Sequence, residues 1–557
     1  MAVEALPRRW GEGLLFAFSG VDGPSGPQAL IATALRDRLG FAFPWPGDRE
    51  LWCESRARLQ IHPQVVASDW VEFSCQPASA PPVRLTYLAL DACTVVGETS
   101  ALLPPRSASR AAATTEVEGC VAHVDAAGAT LLATAPAGDR RRFAFVYASS
   151  DVRALVSRAR AALTVDVEML REAKRAWLAR AAGRPRAELL AKALAVMKVN
   201  ACTPTGRIRH CWTTPDRWPH RYLWLWNSAF HAGGWRHIDP AWASEMLLAV
   251  LDHQRDDGFI PHCIQPDGDS TITQPPVLAW AVERLFEVTE DRSFLREVYP
   301  RLVAFAEWVR ENRPFADEFG LYTWAHAAES GMERSPRFDQ GAGFAAADLA
   351  SYLARDYEAL ARLANILDRR EDADRWRARH REIFEGTNYH LWHDDLGLYL
   401  DGDWDGTQRR EPVTIASCLP LYAGLAPPSR AARLLERLRD PDQFWTPLPL
   451  PSVDRRDPAY APEVGRGPVW LHLNLLIYEG LRRHGEEGLA AELKERSLAA
   501  VEAWYRRTGC LWECYDPDDV ISPRDLDRKA HPARGRGGTN VADYHGTAAV
   551  VAEWLMG

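Results

Sequence analysis

The sequence predicts a mostly α-helical protein built as a ring of helix pairs, an α/α toroid, preceded by an antiparallel β-sandwich. Three observations carry this. Residues 13–150 read as short alternating apolar and polar runs broken by Gly, Pro, Asp and Ser. Residues 187–557 hold about a dozen amphipathic helical segments in a paired rhythm. Long loops rich in Trp, His, Asp and Glu separate the pairs. An α-solenoid is the competing architecture, but its loops tend to be short, and long aromatic loops are those that carry function.

The strands are expected at 14–18, 71–75, 83–88 and 143–147, with loops at 76–82 and 102–115, where Pro, Ser and Ala accumulate. Residues 1–155 form the accessory sandwich in this reading. Residues 156–186, rich in Ala and Arg, form a helical linker, and 187–557 form the catalytic ring. Within the ring, apolar spacing and Gly or Pro stops place helices at 242–254, 276–288, 294–311, 345–367, 371–384, 469–483 and 490–507.

Composition narrows the function. A net charge of −9 and a pI near 6.0, with Lys and Arg scattered, argue against a nucleic-acid or anionic-membrane partner. The 22 Trp are unusual. Trp is a flat apolar plate with one N–H donor, which suits the C–H faces of sugar rings, although most of these residues will be core. The ten Cys include no CxxC and no zinc spacing, so no metal is expected, and reduced buried thiols in a cytoplasmic protein are the simplest account. The N-terminus lacks the apolar region of a signal peptide, and no apolar run approaches a membrane span.

Five stretches hold the chemistry. The first is Glu329-Ser330-Gly331-Met332-Glu333-Arg334-Ser335-Pro336-Arg337, a loop whose two carboxylates and two guanidiniums must bind each other or a polar ligand if buried. It reads either as a sugar site with Glu333 as proton donor or as a salt-bridged loop. The second runs from Thr213-Thr214-Pro215-Asp216-Arg217 through Trp224-Leu225-Trp226-Asn227-Ser228-Ala229-Phe230-His231, mixing stacking surfaces with hydrogen-bonding groups. A satisfied aromatic core is its equal alternative. The third is Gln274-Pro275-Pro276, where Pro can open a helix and Gln274 would face its mouth. The fourth, Arg466-Gly467-Pro468-Val469-Trp470-Leu471-His472-Leu473-Asn474, enters a helix at a Pro, and the fifth is Leu511-Trp512-Glu513-Cys514-Tyr515-Asp516-Pro517-Asp518-Asp519. On pattern alone the plainer readings lead for these last three: a cap and a turn, an ordinary helix start, and a loop acid after a helix. Two carboxyls flanking a glycosidic bond are the minimal machinery for hydrolysing it, so Glu333 and Glu513 would have to meet across the ring.

In this order, these motifs resemble the glycoside hydrolases of family 63 and their bacterial relatives, the mannosylglycerate and glucosylglycerate hydrolases, within the trehalase and glucoamylase-like (α/α)6 clan. The resemblance covers about two thirds of the chain, the part beyond Ala187. It implies an inverting, exo-acting hydrolase of a small α-glycoside or oligosaccharide, with no metal or organic cofactor. It places the acid at Glu333 and the base at Glu513. It assigns Asp216, Arg217, Trp224, Trp226, Asn227, Phe230, His231, Gln274, Glu329, Arg337, Trp470 and His545 to the sugar. Three departures point to an unusual substrate, a shifted acid or lost activity. The family acid is usually Asp, the residue after the helix Trp is usually Asp where Asn227 stands, and a late Gly-Trp is replaced by Asp543-Tyr544-His545-Gly546-Thr547. One carboxylate fewer favours an acidic sugar or aglycone, and Arg217, Arg334 and Arg337 would help. A lyase, isomerase or phosphorolytic reaction on the same barrel, or a sugar-binding pseudoenzyme, is the alternative. The loop at 522–540, with Arg534 and Arg536, reads equally as a lid that closes on substrate or as a surface insert with no role. Oligomeric state is left open.

Overall fold

The computed structural model describes residues 18–20, 30–31, 33–34, 38–43, 49–54, 59–77, 82–91, 93–100, 103–109, 112–126 and 128–148. From 152 to 557 it describes all but 205, 217–219, 266–267, 317–319, 404–411 and 529–537. Beside a parallel pair of Phe18–Gly20 with Leu30–Ile31, two antiparallel sheets make up most of the N-terminal part. One has eight strands in the order Ala113–Val117, Cys120–Asp125, Gly128–Ala137, Arg140–Ala148, Thr94–Ser100, Val83–Asp91, Trp70–Pro77 and Leu59–Ala67. The other has four, in the order Pro105–Ser109, Arg49–Glu54, Arg38–Phe43 and Thr33–Ala34.

Alternation sorts the side chains to the two faces of the large sheet. Val71, Phe73, Tyr87, Val95 and Leu132 pack with Leu51 and Cys53 of the small sheet. Trp70, Leu88, Val96 and Leu131, their neighbours in sequence, face the other way, against the first helices. The expected loop at 102–115 instead contains the strand Pro105–Ser109 and the start of Ala113–Val117. Pro is tolerated there because it heads an edge strand, paired on one side only. The strand expected at 14–18 lies outside the described residues except for Phe18, where a strand Phe18–Gly20 begins.

The rest is helical. In chain order the helices are α1 Val152–Leu163, α2 Val167–Leu178, α3 Ala187–Val199, α4 Leu225–Trp235, α5 Pro240–Leu251, α6 Leu278–Thr289 and α7 Arg292–Asn312. They continue with α8 Ala347–Ile366, α9 Arg370–His390, α10 Leu419–Tyr422, α11 Pro428–Leu438, α12 Leu471–Arg483, α13 Glu487–Thr508 and α14 His545–Met556. Side-chain caps start several of them: Asp166 accepts from the N–H of Glu168 and Met169, and Asp291 from Ser293 and Phe294. Gly509, at φ 75°, ends α13.

Helices α4, α6, α8, α10, α12 and α14 pack each against the next, and α14 returns to α4. A second helix lies against most of them, α5 on α4, α7 on α6, α9 on α8, α13 on α12 and α3 on α14. Sequence explains who lies inside. Helix α8 buries residues all round its circumference, whereas charged α9 buries only Ala373, Trp376, Ile383, Gly386 and Thr387. Among the described residues no helix is long and apolar enough to cross a membrane.

The helix at 276–288 begins two residues later than its Pro suggests, at Leu278, because its cap comes from another helix. Asp356 of α8 accepts from the N–H of Ala279 (3.3 Å) and Trp280 (3.0 Å). Burial pushes this carboxyl up to about 7 despite those two donors. The folded state therefore holds a proton that the unfolded chain releases, so this group's contribution to stability falls as pH rises from 3.8 to about 7. Asp356→Asn is expected to lose that dependence, gaining on the parent between pH 4.5 and pH 7.5 in urea midpoints. An identical midpoint difference at the two pH values would refute it.

Candidate active site

The expected stretches converge where loops enter α4, α6, α8, α12 and α14. At α4, Trp224 is the N-cap, paired in a short ladder with Cys263. Gln274 does not face the mouth of its own helix. Its Oε1 accepts the N–H of Trp226 at 2.9 Å, satisfying one of the orphan donors at the start of α4. The Trp226 ring then packs edge-on to His472 (5.1 Å), Phe230 (5.7 Å) and Tyr352 (6.3 Å).

The loop with the proposed acid lies flat on Trp226. Gly331 has φ 70°, and a Cβ there would sit 1.6 Å from Cζ3 of Trp226, so only glycine fits. Ser330 locks the approach, its hydroxyl donating to Ala327 O and accepting from Met332 N. Ser335 N–H closes on Met332 O at 2.8 Å, a β-turn with Glu333 and Arg334 at its corners. Glu333 is half-buried and makes no hydrogen bond or ion pair among the described residues. Arg334 reaches Glu463 at only 3.9 Å.

The segment with Glu513 is held from two sides. Its own N–H donates to Val541 O at 2.9 Å, and Tyr515 exchanges two backbone bonds with Val469. Val469 adjoins Trp470, the N-cap of α12, whose ring lies 5.2 Å from His472. A continuous path of contacts therefore runs from the Glu333 turn through Gly331, Trp226, His472 and Trp470 to the segment that carries Glu513. Along it, the indole N–H of Trp226, the indole N–H of Trp470 and Nε2 of His472 are buried with no hydrogen-bond partner. Burial brings His472 down to about 3, so its ring is neutral. His472 lies in the fourth stretch, two residues past the helix-entering Trp470, but the sequence assigns it no part at the site. Asn227 Nδ2 donates at 3.0 Å to the hydroxyl of Tyr544, which joins two of the family departures, the helix Asn and the late Asp543–Thr547 motif.

Other expected sugar contacts are engaged elsewhere. Glu329 is wholly buried and binds Arg313 through both oxygens, at 2.9 and 2.6 Å, with the N–H of Ala325 at 3.1 Å. Arg337 forks onto both Asp348 and Asp401 at 2.7–2.9 Å, leaving no face for substrate. Even against the cost of burial, the two carboxylates hold its guanidinium above the usual arginine range. His545 sits in the core, stacked on His231 at 3.8 Å, accepting from Trp235 Nε1 and contacting Thr214 O through Nδ1. Burial keeps both imidazoles neutral, His545 down at about 3. Asp216 pins its own loop by accepting from His220 N and Nδ1. Phe230 fills the space under Trp226 and His472, and Trp224 contacts His262 edge-on. Arg217, and Arg534 and Arg536 of the expected lid, lie outside the described residues.

Comparison with known proteins gives this geometry a family. Residues 220–520 match the model of the mannosylglycerate hydrolase MGH1-like glycoside hydrolase domain, more than half the chain. The chain belongs to this family. The enzyme is thus a glycoside hydrolase. It is 30% identical over 391 residues to the mannosylglycerate hydrolase of Thermus thermophilus, covering 56% of this chain and 92% of the relative. The crystal structure of a family 63 mannosylglycerate hydrolase from Thermus thermophilus in complex with glucose superposes at a TM-score of 0.54. That match has 27% identity over 66% of this chain and 99% of that one. A bacterial glucoamylase complexed with acarbose, 10% identical, matches 97% of this chain and 96% of its own at a TM-score of 0.64. That likeness concerns the fold alone and extends it to the sheet domain.

Proposed function

We propose that the enzyme is an exo-acting, inverting hydrolase of a small α-glycoside, with Glu333 as general acid and Glu513 as general base. The contact path joining their two segments through Trp226, His472 and Trp470 is the observation that carries the reading. The circuit of α4, α6, α8, α10, α12 and α14 is in this reading the inner ring of an (α/α)6 toroid at 187–557, with a sandwich at 1–155 and a linker at 156–186. Glu333 donates its proton to the leaving oxygen as the bond to the anomeric carbon breaks. Glu513 takes a proton from a water that attacks the opposite face, giving the inverted hemiacetal. The donor edges of Trp226 and Trp470 suit sugar hydroxyls, which are good acceptors.

The relatives are named for mannosylglycerate, a glycoside of a hydroxy acid. Arg334 supports an acidic aglycone here: it shares the turn of Glu333, is partly exposed, and is held by Glu463 only at 3.9 Å. Ten free thiols fit a reducing compartment, and we place the enzyme in the cytoplasm.

The test is incubation with α-glucosides, α-mannosides, α-glycosides of glycerate and uronides, followed by NMR of the anomeric proton. The expected first product is the free sugar as its β-anomer, released fastest from a glycerate glycoside. The α-anomer appearing first would overturn inversion. An unsaturated or phosphorylated sugar would overturn hydrolysis.

A further inference from the structure

We infer that Ser68, Lys192 and Asp543 form a positioning device through which the N-terminal sheet sets the segment carrying Glu513. The inference rests on the assignment of Glu513 as base. Ser68 and Asp69 form the turn between strands Leu59–Ala67 and Trp70–Pro77, and both are buried against the helices. Asp69 lies 2.7 Å from Lys174 of α2 and 2.7 Å from Lys198 of α3. Burial alone would raise its carboxyl, but the two ammonium groups outweigh burial and bring it down to about 2, so it is a fixed anion. The turn is thereby anchored in the helical part.

Its other residue reaches toward the site. The Ser68 hydroxyl donates to Asp543 Oδ2 at 3.3 Å and accepts from Lys192 Nζ at 3.4 Å, while Lys192 Nζ stands 2.8 Å from the same Asp543 oxygen. The second oxygen of Asp543 accepts the N–H of Leu511 at 3.2 Å, two residues before Glu513. The Asp543 carbonyl accepts from Asn200 Nδ2 at 3.2 Å. Asp543 is held at φ 55°, a left-handed conformation that a non-glycine residue keeps when its surroundings impose it. Its neighbours then fix the base segment directly: Val541 O accepts from Glu513 N, and Tyr544 N donates to Leu511 O. Tyr544 also meets Asn227 through its hydroxyl. One buried side-chain cluster thus joins a sheet turn to both the base and the sugar-facing end of α4. The hydrolytic chemistry itself uses none of these three residues.

The full chain carrying Ser68→Ala or Lys192→Met would be assayed on α-mannosyl and α-glucosyl fluoride, which need the base but no proton donor. We expect kcat to fall about fivefold in Ser68→Ala and about tenfold or more in Lys192→Met, with KM within about twofold. Ser68→Thr, which keeps the hydroxyl, recovers most of the loss. Hydrogen exchange of residues 511–516 should quicken in both variants while α8 is unchanged, a readout a merely structural contact would not confine there. Ser68→Ala with parental kcat, or with lower kcat but unaltered exchange at 511–516, overturns the inference, and it decides alone should Lys192→Met fail to fold. Retained turnover in Glu513→Gln would overturn the base assignment instead, independently of the exchange result.

Discussion

Glu333→Gln and Glu513→Gln should each lower kcat/KM by about 10² to 10⁴-fold, the range general acid–base catalysis contributes. The fold should survive both changes. Glu333 makes no bond among the described residues, and glutamine matches the shape of glutamate at 513, where Val541 holds the backbone N–H and Val469 holds Tyr515 two residues on. The two variants should then separate by leaving group. An α-glycosyl fluoride loses fluoride without protonation, so Glu333→Gln recovers much of the parental rate on it. Glu513→Gln stays slow, because the attacking water still lacks its base. Circular dichroism and thermal melting would show both variants folded. Either variant within a few-fold of the parent on every substrate removes that residue from the mechanism. A Glu333→Gln enzyme that stays slow on the fluoride gives the residue some task other than protonation.

The sequence was most legible where one local rule decided the outcome. Alternation from 71 to 75 and from 83 to 88 does form strands, because one sheet face meets Leu51 and Cys53 and the other meets α1. Helix spans were close for the same reason: α12 occupies Leu471–Arg483 against an expected 469–483, and α13 ends at Thr508 before Gly509. The exceptions had partners distant in the chain. No local pattern reveals that Asp356 caps α6 from α8, so the start of that helix was misplaced. Helix α9 runs to His390, past Phe384, because Gly386 and Thr387 are buried in its last turns, where packing overrides the glycine as a stop.

The site divides along the same line. Gly331 and Trp226 stand 105 positions apart, yet each lies in a motif whose residue types announce a close approach. The charged residues of that loop announced only that they need partners. Glu329 found Arg313, and Arg337 found Asp348 and Asp401, choices set by how the ring closes. The salt-bridged reading holds for the flanks of the loop, while its corner residue Glu333, the proposed acid, makes no bond among the described residues. His231 and His545 misled for a different reason: imidazole is equally at home stacked in a core, and sequence does not say whether its nitrogens meet protein or sugar.

Arg337→Met should be the most destabilising single change in the catalytic half. The guanidinium sits between Asp348, at the start of α8, and Asp401, whose Oδ1 also accepts the N–H of Ala347. Asp348 in turn accepts from Trp324 Nε1 at 3.0 Å, so one cation joins the acid loop, the entrance of α8 and the 398–402 segment. Replacing it with an apolar chain of similar length fills the space but leaves two buried carboxylates without a counter-charge. Removing one partner of such a pair costs about 3–5 kcal/mol. Two stranded acids on one cation put this case at the upper end. Arg337→Lys should recover little, since an ammonium cannot fork onto two carboxylates. The pH dependence identifies the cause. Burial raises the Asp401 carboxyl even beside the guanidinium, and without that cation the variant can bind a proton there in the folded state. Its deficit should therefore shrink as pH falls from 8 to 5, while a packing defect would be indifferent to pH. Urea midpoints of parent and variant at the two pH values measure this, and a deficit equally large at both would show that the charges are not what the arginine holds. In folded Arg337→Lys the KM for a glycerate glycoside should match the parent, because this cation faces the protein's own acids.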